Sequence, residues 1–158
     1  MARKYLRQYR VTAPPVPVEY MLIAEEVAIE LADYEDAVAR KAWWEAGVGH
    51  VAVNRQLRPG RLRFTLAHEF DHLALRHHER RFSDLARALT RFCDPEELAW
   101  DPPDPVEVEA NQFAAELLMP AAMFRRDWER NPSPGRLAAR YEVSVEAARW
   151  RIVTVCSG

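Results

Sequence analysis

The chain has 158 residues, 49% hydrophobic and 29% charged, with a formal net charge of −2 and a pI near 6.2. That length can bury about two-thirds of its unfolded surface in one core, and the near-neutral balance gives no global attraction to nucleic acid or an anionic membrane. Cys93 and Cys156, the two cysteines, are too few and too far apart for a disulfide framework; they read as reduced thiols of a cytoplasmic protein.

Arg3, Lys4, Arg7 and Arg10 resemble the start of a secretory signal. Thr12-Ala13-Pro14-Pro15-Val16-Pro17 follows instead of an apolar run, so residues 1–17 read as an N-terminal extension. No apolar run approaches the roughly 20 residues of a membrane span. Met21, Leu22, Glu25 and Ala28 fall at helical spacing, which predicts a helix from Val18 to Glu30. Val48 to Val53 is short, β-branched and bounded by Gly47 and Asn54, the pattern of a strand. The segments around Ile29–Asp33 and Ala42–Glu45 are expected to pair with it in a small antiparallel sheet.

Pro59 suits the first position of a helix running to about Arg76. Its residues His68, Asp71, His72 and Leu75 share one face and Leu66, Phe70 and Leu73 another, as expected of a helix passing through the middle of a domain. Residues 77–103 are polar and then Pro-rich, a connecting excursion with a short helix at 83–92. Asp104, Pro105 and Glu107 then stand at the N-cap, N1 and N3 positions of a helix that should stop at Met119, before Pro120. Gly135 to Val155 predicts two short helices joined by a turn near Glu142–Ser144. The organisation expected is a core over residues 18–125 and a C-terminal helical subdomain over 126–158.

The chemistry concentrates in His68-Glu69-Phe70-Asp71-His72, an H-E-x-x-H run inside a helix. Residues four apart lie one turn above each other, so His68 and His72 can offer two imidazole nitrogens to one ion. Glu69 stands where it could take a proton from an attacking water. A catalytic zinc site needs a third protein ligand and an open position, and the 105–119 helix supplies carboxylates. With Glu107 at zero and about 100° per residue, Asn111 falls near 40°, Ala114 near −20° and Leu118 near 20°; Glu109 and Glu116 fall on the opposite side, at about 200° and 180°. Glu107 is the carboxylate that can point inward, although it could also serve only as the N3 partner of a capping box with Asp104. Asn111, one turn later, could hold the non-ligating nitrogen of His68, or be an amide satisfied by backbone.

Phe64-Thr65-Leu66-Ala67-His68-Glu69-Phe70-Asp71-His72-Leu73, followed by Glu107-x-x-Ala110-Asn111-x-Phe113-Ala114-Ala115-Glu116-Leu117-Leu118-Met119-Pro120, resembles the ImmA/IrrE family of bacterial zinc metallopeptidases. The resemblance covers residues 18–120; Asn54-Arg55-Gln56-Leu57 also fits, and Leu137 to Ser144 is similar to the helical tail of many members. It implies an α+β, zincin-like core: a small antiparallel sheet packed on the H-E-x-x-H helix and a Glu-ligand helix, with the C-terminal helices appended. It also implies His68, His72 and Glu107 as metal ligands, Glu69 as the catalytic base and Asn111 as the residue orienting a histidine. Zn²⁺ is the expected ion, and Mn²⁺ suits the same donors. Two positions depart from the family pattern: Asp71 replaces a glycine and reads as solvent-facing, and Arg76 replaces a histidine.

By the same resemblance, the expected activity is narrow endoproteolysis of a helix-turn-helix repressor that switches on stress or mobile-element genes. His50, His77, His78, Tyr20 and Tyr141 are chemically able to stabilise an oxyanion, and the sequence does not choose among them. A rival reading is a metal-stabilised regulatory or DNA-binding protein, or a toxin–antitoxin component, without proteolysis. Its support is the Ala138–Ile152 stretch with Arg136, Arg140, Arg149 and Arg151, which reads equally as a helical cover with solvated arginines.

Overall fold

The computed structural model describes residues 1–33, 40–75 and 104–156. The excursion at 77–103 with its short helix, and Arg76, His77, His78 and Cys93, lie outside them. Helices α1 (Ala2–Gln8) and α2 (Val18–Ala24) precede strands β1 (Val27–Ala32), β2 (Arg40–Glu45) and β3 (Val48–Asn54). Helix α3 (Pro59–Ala74) follows, then α4 (Pro105–Leu118), α5 (Ala121–Arg130), α6 (Pro134–Tyr141) and α7 (Val145–Cys156). The class is α+β, with seven helices and three strands among the described residues.

Helix α2 is shorter than its periodicity predicts. Glu25 closes it, Glu26 turns the chain at φ 59°, and Val27 already starts a strand. The Glu25 carboxylate accepts from the Tyr9 hydroxyl at 2.6 Å and from Gln8 at 2.7 Å, which anchors the turn to the end of α1. Tertiary pairing of Val27–Ala32 with β3 outweighs the helical spacing.

The sheet is mixed, in the order β1-β3-β2, where an antiparallel one was expected. A two-residue turn with positive φ at both Ala46 (49°) and Gly47 (84°) joins β2 to β3 and makes that pair antiparallel. Such primed turns match strand twist, and Gly47 adopts its angle without a Cβ penalty. β3 is therefore central, with Val51, Ala52, Val53 and Asn54 all buried, and β1 fills its other edge in parallel. Hydrophobic pattern marks a strand's faces but not the direction of its neighbour.

Helix α3 runs through the middle of the molecule. Every residue from Thr65 to Asp71 is buried, and the helix packs on α4, β2, β3 and α2. Tyr5 of α1 lies 4.7 Å from the Phe70 ring and 6.2 Å from Phe113, so three aromatic rings knit α1, α3 and α4. Asp71 is fully buried rather than solvent-facing. The phenol of Tyr5 is raised above its usual range by burial and by the charges of Glu25 and Asp71.

The turn between α6 and α7 is seated on α3. Glu142 takes the left-handed conformation (φ 53°) at the end of α6, Val143 N–H returns to Ala138 O at 3.0 Å, and Ser144 caps α7 through Ala147 N–H at 3.0 Å. Arg63 of α3, 8% exposed, binds both Glu19 oxygens at 3.0 and 3.2 Å and Val16 O at 2.6 Å, with Glu142 at 3.5 Å. Arg151 is also buried, against the expectation of solvated arginines: it donates to Met119 O at 2.9 Å and pairs with Glu116, which also meets Arg3. It thereby covers the end of α4, where helix carbonyls lack partners.

At Gly60 the backbones nearly touch: a Cβ there would lie 2.7 Å from Val143 C and 2.9 Å from Ser144 N. Helix propensity alone would favour alanine by about 1 kcal/mol, but backbone cannot swing aside as a side chain can. We predict that Gly60→Ala loses about 2 kcal/mol of stability in urea unfolding. An unchanged or raised midpoint would show that the α6–α7 turn is not seated on α3.

Candidate metal centre

The final turns of α3 and the first turn of α4 face each other. The histidine spacing stacks His68 and His72 on one side of α3, with Nε2 atoms 3.0 Å apart and ring planes at 68°. Across the gap, Glu107 Oε2 is 3.1 Å from His68 Nε2 and Oε1 is 3.5 Å from His72 Nε2. One donor atom from each residue falls within 4.8 Å of the others. His68 is nearly sealed at 2% side-chain exposure, while His72 (14%) and Glu107 (19%) keep one side open.

The position of Glu107 follows from the phase of α4. Ala110, Phe113, Ala114, Leu117 and Leu118 form its buried arc, and Glu107 sits at the edge of that arc, toward α3. Asp104 caps the helix by accepting from Val106 N–H at 2.9 Å, and both Glu107 oxygens lie on the histidines. Burial alone would raise the Glu107 carboxyl. With no ion between them, His68 and His72 donating to it as imidazolium groups, together with their charge, outweigh that and hold it well below the usual carboxylate range. The helix N-terminus adds a favourable field.

Asn111 meets His68 from the other side, Oδ1 to Nδ1 at 3.0 Å. An amide oxygen only accepts, so Nδ1 carries the proton and Nε2 of the neutral ring presents its lone pair to the gap. Two imidazole nitrogens and a carboxylate then converge at 3.0–3.5 Å, a contact that needs protons or a metal ion between the donor atoms. A divalent ion held by two nitrogens and one oxygen satisfies that requirement, so the donor set fits zinc or manganese.

Glu69 is buried on α3 beside His68. The other candidates in the described residues are engaged elsewhere. His50 stacks on Trp43 at 4.9 Å, with Glu30 at 3.6 Å and Glu45 at 4.0 Å. The Tyr141 hydroxyl donates to Asp127 at 2.9 Å, and burial followed by that bond raises its phenol. Tyr20 is 63% exposed and lies edge-on to Tyr9. Sequence reading missed the clasps of Arg63 and Arg151; an arginine at an interior helical phase was the available signal for both.

We predict that His68→Ala or His72→Ala removes most bound zinc by elemental analysis, and that Glu107→Gln weakens binding sharply while the exposed Glu109→Gln stays near wild type. Asn111→Ala should lose about 10–100-fold in affinity. Full zinc occupancy in the histidine variants, or the reverse order of the two glutamates, would contradict the assignment.

A family model for Peptidase M78, the IrrE N-terminal-like domain, matches residues 25–153, from the end of α2 into α7. The fold is similar to the solved structure of a Mycobacterium tuberculosis transcriptional regulator, with a TM-score of 0.60 and 18% identity over 93% of this chain and 43% of that one. The chain thus spans less than half the length of that regulator. No curated protein matches it. A match over most of the chain, on a zincin-like core with two facing histidines and a glutamate, makes this a member of the Peptidase M78 (IrrE N-terminal-like) family, a family of metallopeptidase type.

Proposed function

We propose that the protein is a zinc-dependent endopeptidase that cleaves one partner protein, a helix-turn-helix repressor, in the cytoplasm. The observation that carries this reading is the convergence of His68, His72 and Glu107, with Asn111 fixing the tautomer of His68, in a chain of a peptidase family. Among the described residues no helix is long and apolar enough to cross a membrane.

His68, His72 and Glu107 hold the ion, and manganese suits the same donors. Zinc, when bound, supplies Lewis-acid polarisation of the scissile carbonyl and lowers the pKa of the attacking water toward ~7. Glu69 accepts the proton of that water and returns it to the leaving amine. Asn111 keeps the His68 ring from turning, so its Nε2 lone pair stays directed at the gap.

The second reading, a DNA-binding regulator without proteolysis, is favoured by the α6–α7 pair joined by a short turn and by exposed Arg136, Arg140 and Arg149. The packing weighs against it. Arg151 is buried at the end of α4 and so is lost to any basic face of α7, and the formal net charge is −2.

Glu69→Gln should retain metal and lose several orders of magnitude in turnover, since only the proton acceptor is missing. Mixing the protein and metal with a candidate helix-turn-helix repressor, sought first among neighbouring genes, should give two discrete fragments, absent with chelator or with Glu69→Gln. A repressor that binds but is never cut, or an active Glu69→Gln enzyme, would overturn the proposal.

A further inference from the structure

A recess of about 290 Å³ opens between α5 and α6, lined by Asp127, Arg130, Asn131, Arg136, Leu137 and Arg140. Three arginines and one carboxylate line it, and that carboxylate is already committed. Asp127 Oδ2 accepts from Arg140 Nε at 2.8 Å and from the buried Tyr141 hydroxyl at 2.9 Å. Burial would raise the Asp127 carboxyl, but these two hydrogen bonds and the charge of Arg140 lower it, so it remains ionised against Arg140. Neither the Arg130 nor the Arg136 guanidinium has an ion pair or hydrogen bond among the described residues; both are exposed. Two uncompensated positive charges thus face one recess in a chain whose formal net charge is −2. Leu137, buried at 2% exposure, gives the recess an apolar floor.

We propose that this recess is a docking site for an acidic segment of a protein partner. Arg130 and Arg136 take carboxylates through the planar fork that guanidinium presents, and Asn131 adds an amide donor. Asp127 and Arg140 form one wall, held to each other and, through Asp127, to the buried Tyr141 hydroxyl. The volume accommodates a few side chains rather than a duplex. The site is independent of the peptidase reading, since binding there needs neither metal nor Glu69.

The test is fluorescence anisotropy of a labelled octaglutamate peptide with the full chain at low salt. The expected result is saturable binding that weakens at high salt, with no binding of octaglutamine. Arg130→Gln combined with Arg136→Gln should weaken binding about tenfold. Arg149→Gln, an arginine on α7 outside the recess, should leave it unchanged. Zinc content and far-ultraviolet dichroism of all variants should match wild type, and Glu69→Gln should bind the peptide normally. Absence of binding, equal affinity in the double variant, or an equal loss with Arg149→Gln would overturn the proposal. So would a short random duplex that binds more tightly than the peptide and depends on the same two arginines, which would mark a nucleic-acid site instead.

Discussion

Two imidazoles and a carboxylate are held together at the junction of α3 and α4. The Nε2 atoms of His68 and His72 lie 3.0 Å apart, and Glu107 closes on them at 3.1 and 3.5 Å. A partly buried carboxylate loses hydration there, and the close contacts need a positive centre, a proton or a metal ion, between the donor atoms. With one, the same burial strengthens the attraction, because the local dielectric is low. The Asn111 bond to Nδ1 matters because it leaves the ring nitrogen facing the gap without a proton. The fold must therefore keep α3 and α4 in register for the three donors to share one ion.

The clasps far along these helices serve that purpose. Arg63 fastens the first half of α3 to the entry of α2 and to the α6–α7 turn, while the Gly60 contact lets that turn lie directly on the helix. Arg151 grips the other end of α4 through Met119 O and Glu116, and Arg3 ties the same carboxylate to α1. Tyr5, Phe70 and Phe113 fill the space between. Each clasp buries a charge with specific partners, and loss of either partner would leave the other uncompensated. The C-terminal helices are on this account part of the frame of the site. Their outward arginines remain available for contacts with a partner.

Much of this was legible in the sequence where a periodic signal and a stop signal coincide. Helix α3 begins at Pro59, as its preference for N1 suggests, and α4 lies between Asp104 and the Met119–Pro120 step. The phase of α4 set Glu107 and Asn111 apart from Glu109 with no knowledge of what they face. The helix expected to reach Glu30 failed because Val18–Glu30 carries helical spacing over a β-branched end, and pairing with β3 decided it. The parallel β1–β3 pair was invisible because strand direction depends on a connection, not on alternation. Helix α1 was hidden in a basic, Pro-flanked start; only Tyr5 and Leu6 hint at a buried face. Asp71 and Arg151 were misread as solvated because charge outweighed helical position in the reading; both lie on faces that the fold buries.

The central claim is that one ion is bound by His68, His72 and Glu107. Zinc K-edge X-ray absorption on the metal-loaded chain addresses it most directly. The account predicts a first shell of nitrogen and oxygen at about 2.0–2.1 Å, with the outer-shell scattering of two imidazoles and no sulfur. A sulfur shell at about 2.3 Å, or a first shell without histidine, would contradict it.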